Sequence, residues 1–110
     1  VWIFSNRLRL HYAVVPTILM RKQIKAIISG RVQLVMYRDF ARRKAKELGI
    51  VGMVENFPDG TVLVVAEGEK EVLDKYISTL EKGPILARVD NVSVAWGEPN
   101  GTFSDFMIVY

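Results

Sequence analysis

The order of hydrophobic periods from residue 21 onward restricts the fold of this chain more than any other feature. Strand patterns, rich in Ile and Val, occupy residues 23–32, 50–56, 61–67 and 87–96, with a short apolar segment at 106–110. Helix patterns, whose apolar residues share one face, occupy residues 39–48 and 69–82. The chain from residue 21 is therefore predicted to be βαββαβ, followed by a short strand.

This order predicts an α+β domain over residues 21–110. A hairpin and two crossover helices favour a ferredoxin-like βαββαβ sandwich, with both helices on one face of an antiparallel sheet. In the strand order 4-1-3-2, the first and second strands run parallel on either side of the third, so their carboxyl ends lie about 10 Å apart at one edge. We therefore expect the segment QLVMYR, residues 33–38, to lie beside Asn56.

Each helix pattern also indicates which face turns toward the core. Inward positions are expected at Tyr37, Ala41, Ala45 and Leu48 in the first helix and at Val72, Leu73, Tyr76, Ile77 and Leu80 in the second. Gly49 and the Gly83-Pro84 pair are typical helix stops. The charged residues between the inward positions are expected to face solvent.

Composition narrows the chemistry that such a domain can perform. The chain has no cysteine and one histidine, His11, so a disulfide and a thiolate nucleophile are excluded, as is a Ser-His pair within residues 21–110. A formal net charge of +3 favours an anionic partner, which could be nucleic acid, phosphate or carboxylate. Catalysis would have to use Arg, Lys, Asn, Asp, Glu, Ser, Tyr or backbone groups.

Residues 1–20 are expected to form an N-terminal extension, loosely ordered and separate from the domain. Arginines precede an apolar run, as in a signal peptide, but Pro16 interrupts the run and no small-residue cleavage site follows. The run is also shorter than the ~20 residues that a membrane span needs. We therefore expect a cytoplasmic protein that does not bind membranes and does not depend on residues 1–19.

Two motifs in the domain resemble the signature of the acylphosphatase family. GRVQLVMYR at residues 30–38 is similar to G-x-V-Q-G-V-x-[FY]-R, and GMVENFPDGTV at residues 52–62 is similar to G-x-V-x-N-x-x-D-G-x-V. The resemblance extends through GPILARVDNVSVAW and FSDF and so covers residues 21–110. It implies hydrolysis of small-molecule acyl phosphates to carboxylate and inorganic phosphate, without a metal or another cofactor.

The resemblance also implies roles for particular residues. Arg38 would bind the substrate phosphate and Asn56 would orient the attacking water, so both are expected to be catalytic. Backbone N–H groups would complete a phosphate cradle formed by Gln33, Leu34, Val35, Met36, Tyr37 and Arg38. Successive N–H groups at a strand-to-helix bend bind anions, and a guanidinium is a planar fork suited to phosphate. An acyl phosphate is already activated, so positioning and charge stabilisation suffice.

Three positions depart from the family pattern. Leu34 replaces a glycine where the backbone has to curl, which implies a strain of ~1–2 kcal/mol if its φ is positive, or else a different loop shape. Glu55 replaces a commonly basic residue next to Asn56, and Met53 replaces a common aromatic residue. A carboxylate that approached the phosphate would repel it, so these positions bear on activity more than on fold.

Two other functions stay open at this point. A non-catalytic anion-binding or interaction domain could share the scaffold, with Leu34 marking a degenerate cradle. Nucleic-acid binding through the basic first helix is less favoured, because TVLVVAE at residues 61–67 lacks the glycine and aromatic residues of an RNA-recognition strand. Taken alone, Arg38 could be a surface charge and Asn56 a turn residue. The paired motifs favour the enzyme, which we expect to be monomeric.

Overall fold

Seven regular elements form the domain in the computed structural model, which describes residues 20–110. They are β1 (Arg21–Arg31), α1 (Tyr37–Glu47), β2 (Val51–Asn56), β3 (Val62–Glu69), α2 (Lys70–Lys82), β4 (Arg88–Gly97) and β5 (Phe106–Val109). Each predicted element is present, with ends that differ from the prediction by up to two residues. The predicted N-terminal extension lies outside the described residues, except for Met20. Neither helix of residues 20–110 is long and apolar enough to span a membrane.

The strands form one sheet in the order β4-β1-β3-β2-β5. The predicted order of the first four strands and their antiparallel pairing are confirmed. The fifth strand pairs parallel to β2, so the sheet is mixed rather than purely antiparallel. The reason is that β4 and β5 lie at opposite edges, and the chain crosses the width of the sheet between them before β5 begins.

The crossing segment, residues 98–105, is fastened to the sheet by a buried carboxylate. Glu67 is 1% exposed, and its Oε2 accepts hydrogen bonds from Gln23 Nε2 at 2.7 Å and from the backbone N–H of Asn100 at 2.9 Å. A buried carboxylate is tolerated when such donors surround it. This contact holds the segment that leads into β5.

Both helices cover one face of the sheet and enclose the core. Tyr37, Ala41 and Ala45 of α1 and Leu73, Tyr76 and Leu80 of α2 are buried as predicted, while Leu48, Val72 and Ile77 pack at the core margin. The largest difference is Phe40, which is also buried.

Two buried tyrosines connect the helices. Tyr37 Oη donates to the carbonyl of Leu80 at 2.6 Å, and Tyr76 Oη donates to the carbonyl of Ala41 at 2.7 Å. Burial raises the pKa of both hydroxyl groups well above the usual value. Because each bond runs from one helix to the other, the N-terminus of α1 is held firmly against the C-terminal part of α2.

Candidate active site

The segment between β1 and α1 turns sharply because two of its residues adopt the left-handed conformation. Leu34 has a φ of 61° and Met36 has a φ of 60°, and among residues 20–110 they are the non-glycine residues with positive φ. This conformation costs an L-residue with a Cβ roughly 1–2 kcal/mol. The curl that the family pattern assigns to glycine is therefore present here with leucine in its place.

The turn presents a row of backbone N–H groups. Helix α1 begins at Tyr37 with Met36 as its N-cap and no side-chain cap, and the N–H of Phe40 bonds to the carbonyl of Met36 at 3.0 Å. Within residues 20–110, the N–H groups from Leu34 to Asp39 donate to no protein acceptor. Free N–H groups and the positive end of the helix dipole together favour an anion at this turn.

Glycines of both motifs serve the backbone rather than the cavity. Gly30 has a φ of 125°, and a Cβ there would collide with the carbonyl of Arg88 at the bulge between β1 and β4. Gly52 has a φ of 151°, and a Cβ there would collide with the carbonyl of Val65. The glycines thus allow close strand contact just before the turn and at the start of β2.

Arg38 places its guanidinium beside the end of the fifth strand. The guanidinium carbon lies 4.8 Å from the centre of the Tyr110 ring, a cation–π contact. No carboxylate within residues 20–110 forms a salt bridge with Arg38. Its charge is therefore available to an anion in the cavity.

Asn56 is the last residue of β2 and faces the same cavity. Its Oδ1 is buried and has no hydrogen-bond partner among residues 20–110. A buried acceptor without a partner costs about 1–3 kcal/mol, so such an atom usually binds water or a ligand. Asn56 therefore offers a fixed acceptor in the cavity that Arg38 also lines.

Gln33 connects the turn to the hairpin that follows Asn56. Its Nε2 donates to the carbonyls of Phe57 and Thr61, both at 2.8 Å. Sequence reasoning placed Gln33 in the cradle through its backbone, and the structure adds a side-chain contact that holds the cradle against the hairpin. The two bonds thus hold the turn against the residues that directly follow Asn56.

One cavity of about 310 Å³ brings these groups together; its lining residues are Val32, Leu34, Met36, Tyr37, Arg38, Asp39, Asn56, Ile108 and Tyr110. It includes both expected catalytic residues, Arg38 and Asn56. Of the other expected cradle residues, Leu34, Met36 and Tyr37 line it, whereas Gln33 contacts the hairpin and Val35 packs against the core.

The charges around the cavity favour an anion. Asp39 accepts hydrogen bonds from Arg42 at 3.1 Å and from Arg43 at 2.9 Å, and the bond from Arg43 contributes most to lowering the pKa of Asp39. One carboxylate is thus surrounded by arginines, with Arg38 still available. Glu55 does not line the cavity, because successive strand residues face opposite sides of the sheet and Asn56 follows it.

Sequence reasoning missed four lining residues: Val32, Asp39, Ile108 and Tyr110. Val32 and Asp39 flank the predicted cradle, so their positions in the motif could have indicated them. Ile108 and Tyr110 carry no local signal, because only the pairing of β5 with β2 brings them to the cavity. Within residues 20–110, no three His, Cys, Asp or Glu side chains are grouped as metal ligands.

Comparison with known proteins agrees with this architecture. The model of the acylphosphatase family matches residues 24–108. An acylphosphatase of Thermus thermophilus is 54% identical over 79 residues, which cover 72% of this chain and 90% of that protein. The acylphosphatase of Coxiella burnetii superposes with a TM-score of 0.78 at 33% identity, covering 87% of this chain and all of that one. That of Bacillus subtilis has a TM-score of 0.78 at 31% identity, covering 81% of this chain and 99% of that one.

Proposed function

Since the chain belongs to the acylphosphatase family, we propose that the cavity between Arg38 and Asn56 is where it hydrolyses acyl phosphates. The activity is acylphosphatase activity, the cleavage of a carboxyl-phosphate bond to carboxylate and inorganic phosphate. Relatives at this level of identity favour the enzyme over a non-catalytic domain on the same scaffold.

In this proposal Arg38 and the free N–H groups from Leu34 to Asp39 bind the phosphoryl oxygens. A charged fork and fixed N–H dipoles stabilise the charge that these oxygens carry in the transition state, and they need no rearrangement during the reaction. The support is that Arg38 forms no salt bridge within the described part of the chain and that the N–H groups have no protein acceptor there.

Asn56 in this proposal positions the attacking water. Its Oδ1 accepts a hydrogen bond from the water, whose oxygen then faces phosphorus. The P–O bond to the water oxygen forms, the P–O bond to the acyl group breaks, and its electron pair leaves on the carboxylate. The water proton passes to a phosphoryl oxygen, because the nearby carboxylate of Asp39 is held by two arginines and its pKa is lowered.

The observation that carries the proposal is the buried, unpartnered Oδ1 of Asn56 in the cavity that Arg38 also lines. The test is the hydrolysis of benzoyl phosphate, measured with inorganic phosphate as a competitive inhibitor. Arg38→Ala should weaken phosphate inhibition and lower kcat/KM by a factor of about 10 to 100 or more. This is the loss expected when one charge-assisted bidentate contact is removed.

Asn56→Ala should lower kcat about 100-fold and leave phosphate inhibition nearly unchanged, since a group that orients water acts in the transition state. Arg88→Ala is the control, because Arg88 is exposed, contacts Asp90 and lies outside the cavity. Normal kinetics in Arg38→Ala would place the site elsewhere. Equal losses of turnover and phosphate binding in Asn56→Ala would assign that residue to the hairpin structure.

We further propose that the enzyme works as a monomer in the cytoplasm, without metal, cofactor, membrane or nucleic acid. The support comes from the sequence: its resemblance to a metal-independent family, the lack of an RNA-recognition signature, and a proline that interrupts the apolar run before Met20. Activity in excess chelator, gel filtration, cell fractionation and a nucleic-acid binding assay at low salt test these points separately.

A further inference from the structure

Leu34 combines two features that packing does not explain. Its backbone is in the costly left-handed conformation, and its side chain is 101% exposed, so no burial offsets the strain. Backbone strain that is not needed for packing is concentrated at functional sites in proteins. Leu34 also lines the cavity with Arg38 and Asn56.

Three neighbours extend this feature into an apolar rim, which we define as Leu34, Met36, Ile108 and Tyr110, all of which line the cavity. Met36 is the other left-handed non-glycine residue and is 74% exposed, and Tyr110 is 90% exposed. Left-handed positions favour Gly, Asn and Asp, yet this chain has large apolar side chains at both. Single exposed apolar residues need no explanation, but a group around one site does.

We infer that the apolar rim binds the acyl part of the substrate, and that this enzyme selects acyl phosphates with a large apolar acyl group, such as an aromatic one, over acetyl phosphate. The inference rests on the proposed function of the same cavity. It assigns Leu34 and Met36 as specificity-determining residues, with roles distinct from that of the phosphate-binding Arg38.

The geometry requires the acyl group to lie near this rim. A single oxygen joins phosphorus to the acyl carbon, so a phosphoryl group at Arg38 and the N–H groups holds the acyl group within a few bonds of the cradle. A phosphoryl group has only four heavy atoms, so a cavity of about 310 Å³ leaves room beside it. The remaining space is bordered by Leu34, Met36, Ile108 and Tyr110, whose apolar atoms contribute affinity in proportion to the area they remove from water.

The experiment compares kcat/KM for benzoyl phosphate and acetyl phosphate in the full chain. Leu34→Asn keeps a residue that tolerates the left-handed conformation and removes the apolar side chain, and Leu34→Gly removes the side chain and the strain together. In both variants the benzoyl-to-acetyl ratio should fall about 3- to 10-fold, less than the full effect of a closed apolar pocket because the rim is open. Met36→Asn should lower the ratio in the same direction.

Two controls show whether a change in the benzoyl-to-acetyl ratio comes from the loss of the apolar rim. Ile85→Asn removes an apolar side chain that is 98% exposed and lies outside the cavity, so the ratio should stay at the wild-type value. Inhibition by inorganic phosphate, which has no acyl group, is measured in both Leu34 variants, because a change in the cradle would affect both substrates alike and leave their ratio unchanged. Circular dichroism verifies that every variant is folded.

The kinetics of Arg38→Ala and of the Leu34 variants test the proposed function and this inference separately. If Arg38→Ala lowers kcat/KM for both substrates at least 10-fold while the Leu34 variants keep the wild-type ratio within about twofold, the rim does not recognise the acyl group and the inference is overturned. If Arg38→Ala leaves both activities intact, the site itself is wrong. A lower ratio in the Leu34 variants, with an unchanged ratio in Ile85→Asn, supports the inference.

Discussion

Replacing Leu34 by glycine should make the protein more stable, which is unusual for the loss of a leucine. The residue has a φ of 61°, a conformation that costs an L-residue roughly 1–2 kcal/mol and costs glycine almost nothing. The perturbation therefore removes backbone strain at one position. It leaves the curl of the turn in place, because glycine adopts the same conformation.

The magnitude follows from the exposure of the side chain. Leu34 is 101% exposed, so its removal creates no cavity and returns no buried apolar area to water. The offsetting cost is the greater freedom of glycine in the unfolded chain, about 0.5–1 kcal/mol. The net gain in the free energy of unfolding should be about 0–1.5 kcal/mol, with a centre near 0.75 kcal/mol. For a domain of this size, a gain of about 0.75 kcal/mol raises Tm by roughly 3–6 °C.

The assay is thermal and urea denaturation followed by circular dichroism, with Leu86→Gly as the matched control. Leu86 is also an exposed leucine, at 72%, but its φ is not positive. Leu86→Gly should therefore lower the free energy of unfolding by about 0.5–1 kcal/mol, opposite in sign to Leu34→Gly. If both variants lose stability to the same extent, Leu34 carries no backbone strain and the explanation given for the turn is refuted.

Three other perturbations test the support around the site. Gln33→Ala should lower kcat/KM about tenfold, because it removes both hydrogen bonds to the hairpin that positions Asn56, and steady-state kinetics measures the loss. The free energy of unfolding should fall as pH rises above 10.0, the ordinary pKa of tyrosine. Burial raises the pKa of Tyr37 in the folded chain, so the unfolded chain loses the hydroxyl proton at a lower pH than the folded chain does. Thermal melts at pH 9 to 11 should show a weaker dependence in Tyr37→Phe. Deleting residues 1–19 should leave Tm and kcat/KM unchanged, since the predicted βαββαβ pattern lies within residues 21–110, and a large drop in Tm would show that they stabilise the domain.

The sequence by itself determined the element order and most of the core. Hydrophobic period distinguishes strand from helix locally, so the βαββαβ order and the buried positions Tyr37, Ala41, Leu73 and Leu80 could be predicted without tertiary information. The paired motifs likewise indicated Arg38 and Asn56, and the order of the first four strands predicted that these residues would meet.

The helix start was less predictable. Helix α1 begins at Tyr37, two residues before the predicted start, because the left-handed Met36 turns the chain directly into the helix. A local pattern does not reveal this, since methionine has no preference for that conformation.

The tertiary structure alone decided how the cavity is completed. The parallel pairing of β5 with β2 brings Ile108 and Tyr110 beside Asn56, and Gln33 reaches the hairpin carbonyls across a gap of more than twenty residues in the chain. Strand register between segments far apart in sequence depends on the packing of both helices and on the segment that crosses the sheet. Local preference acts over a few neighbouring residues, whereas these contacts form only once the whole sheet is assembled. The sequence could therefore indicate Arg38 and Asn56, the proposed catalytic pair, but not the apolar rim around them.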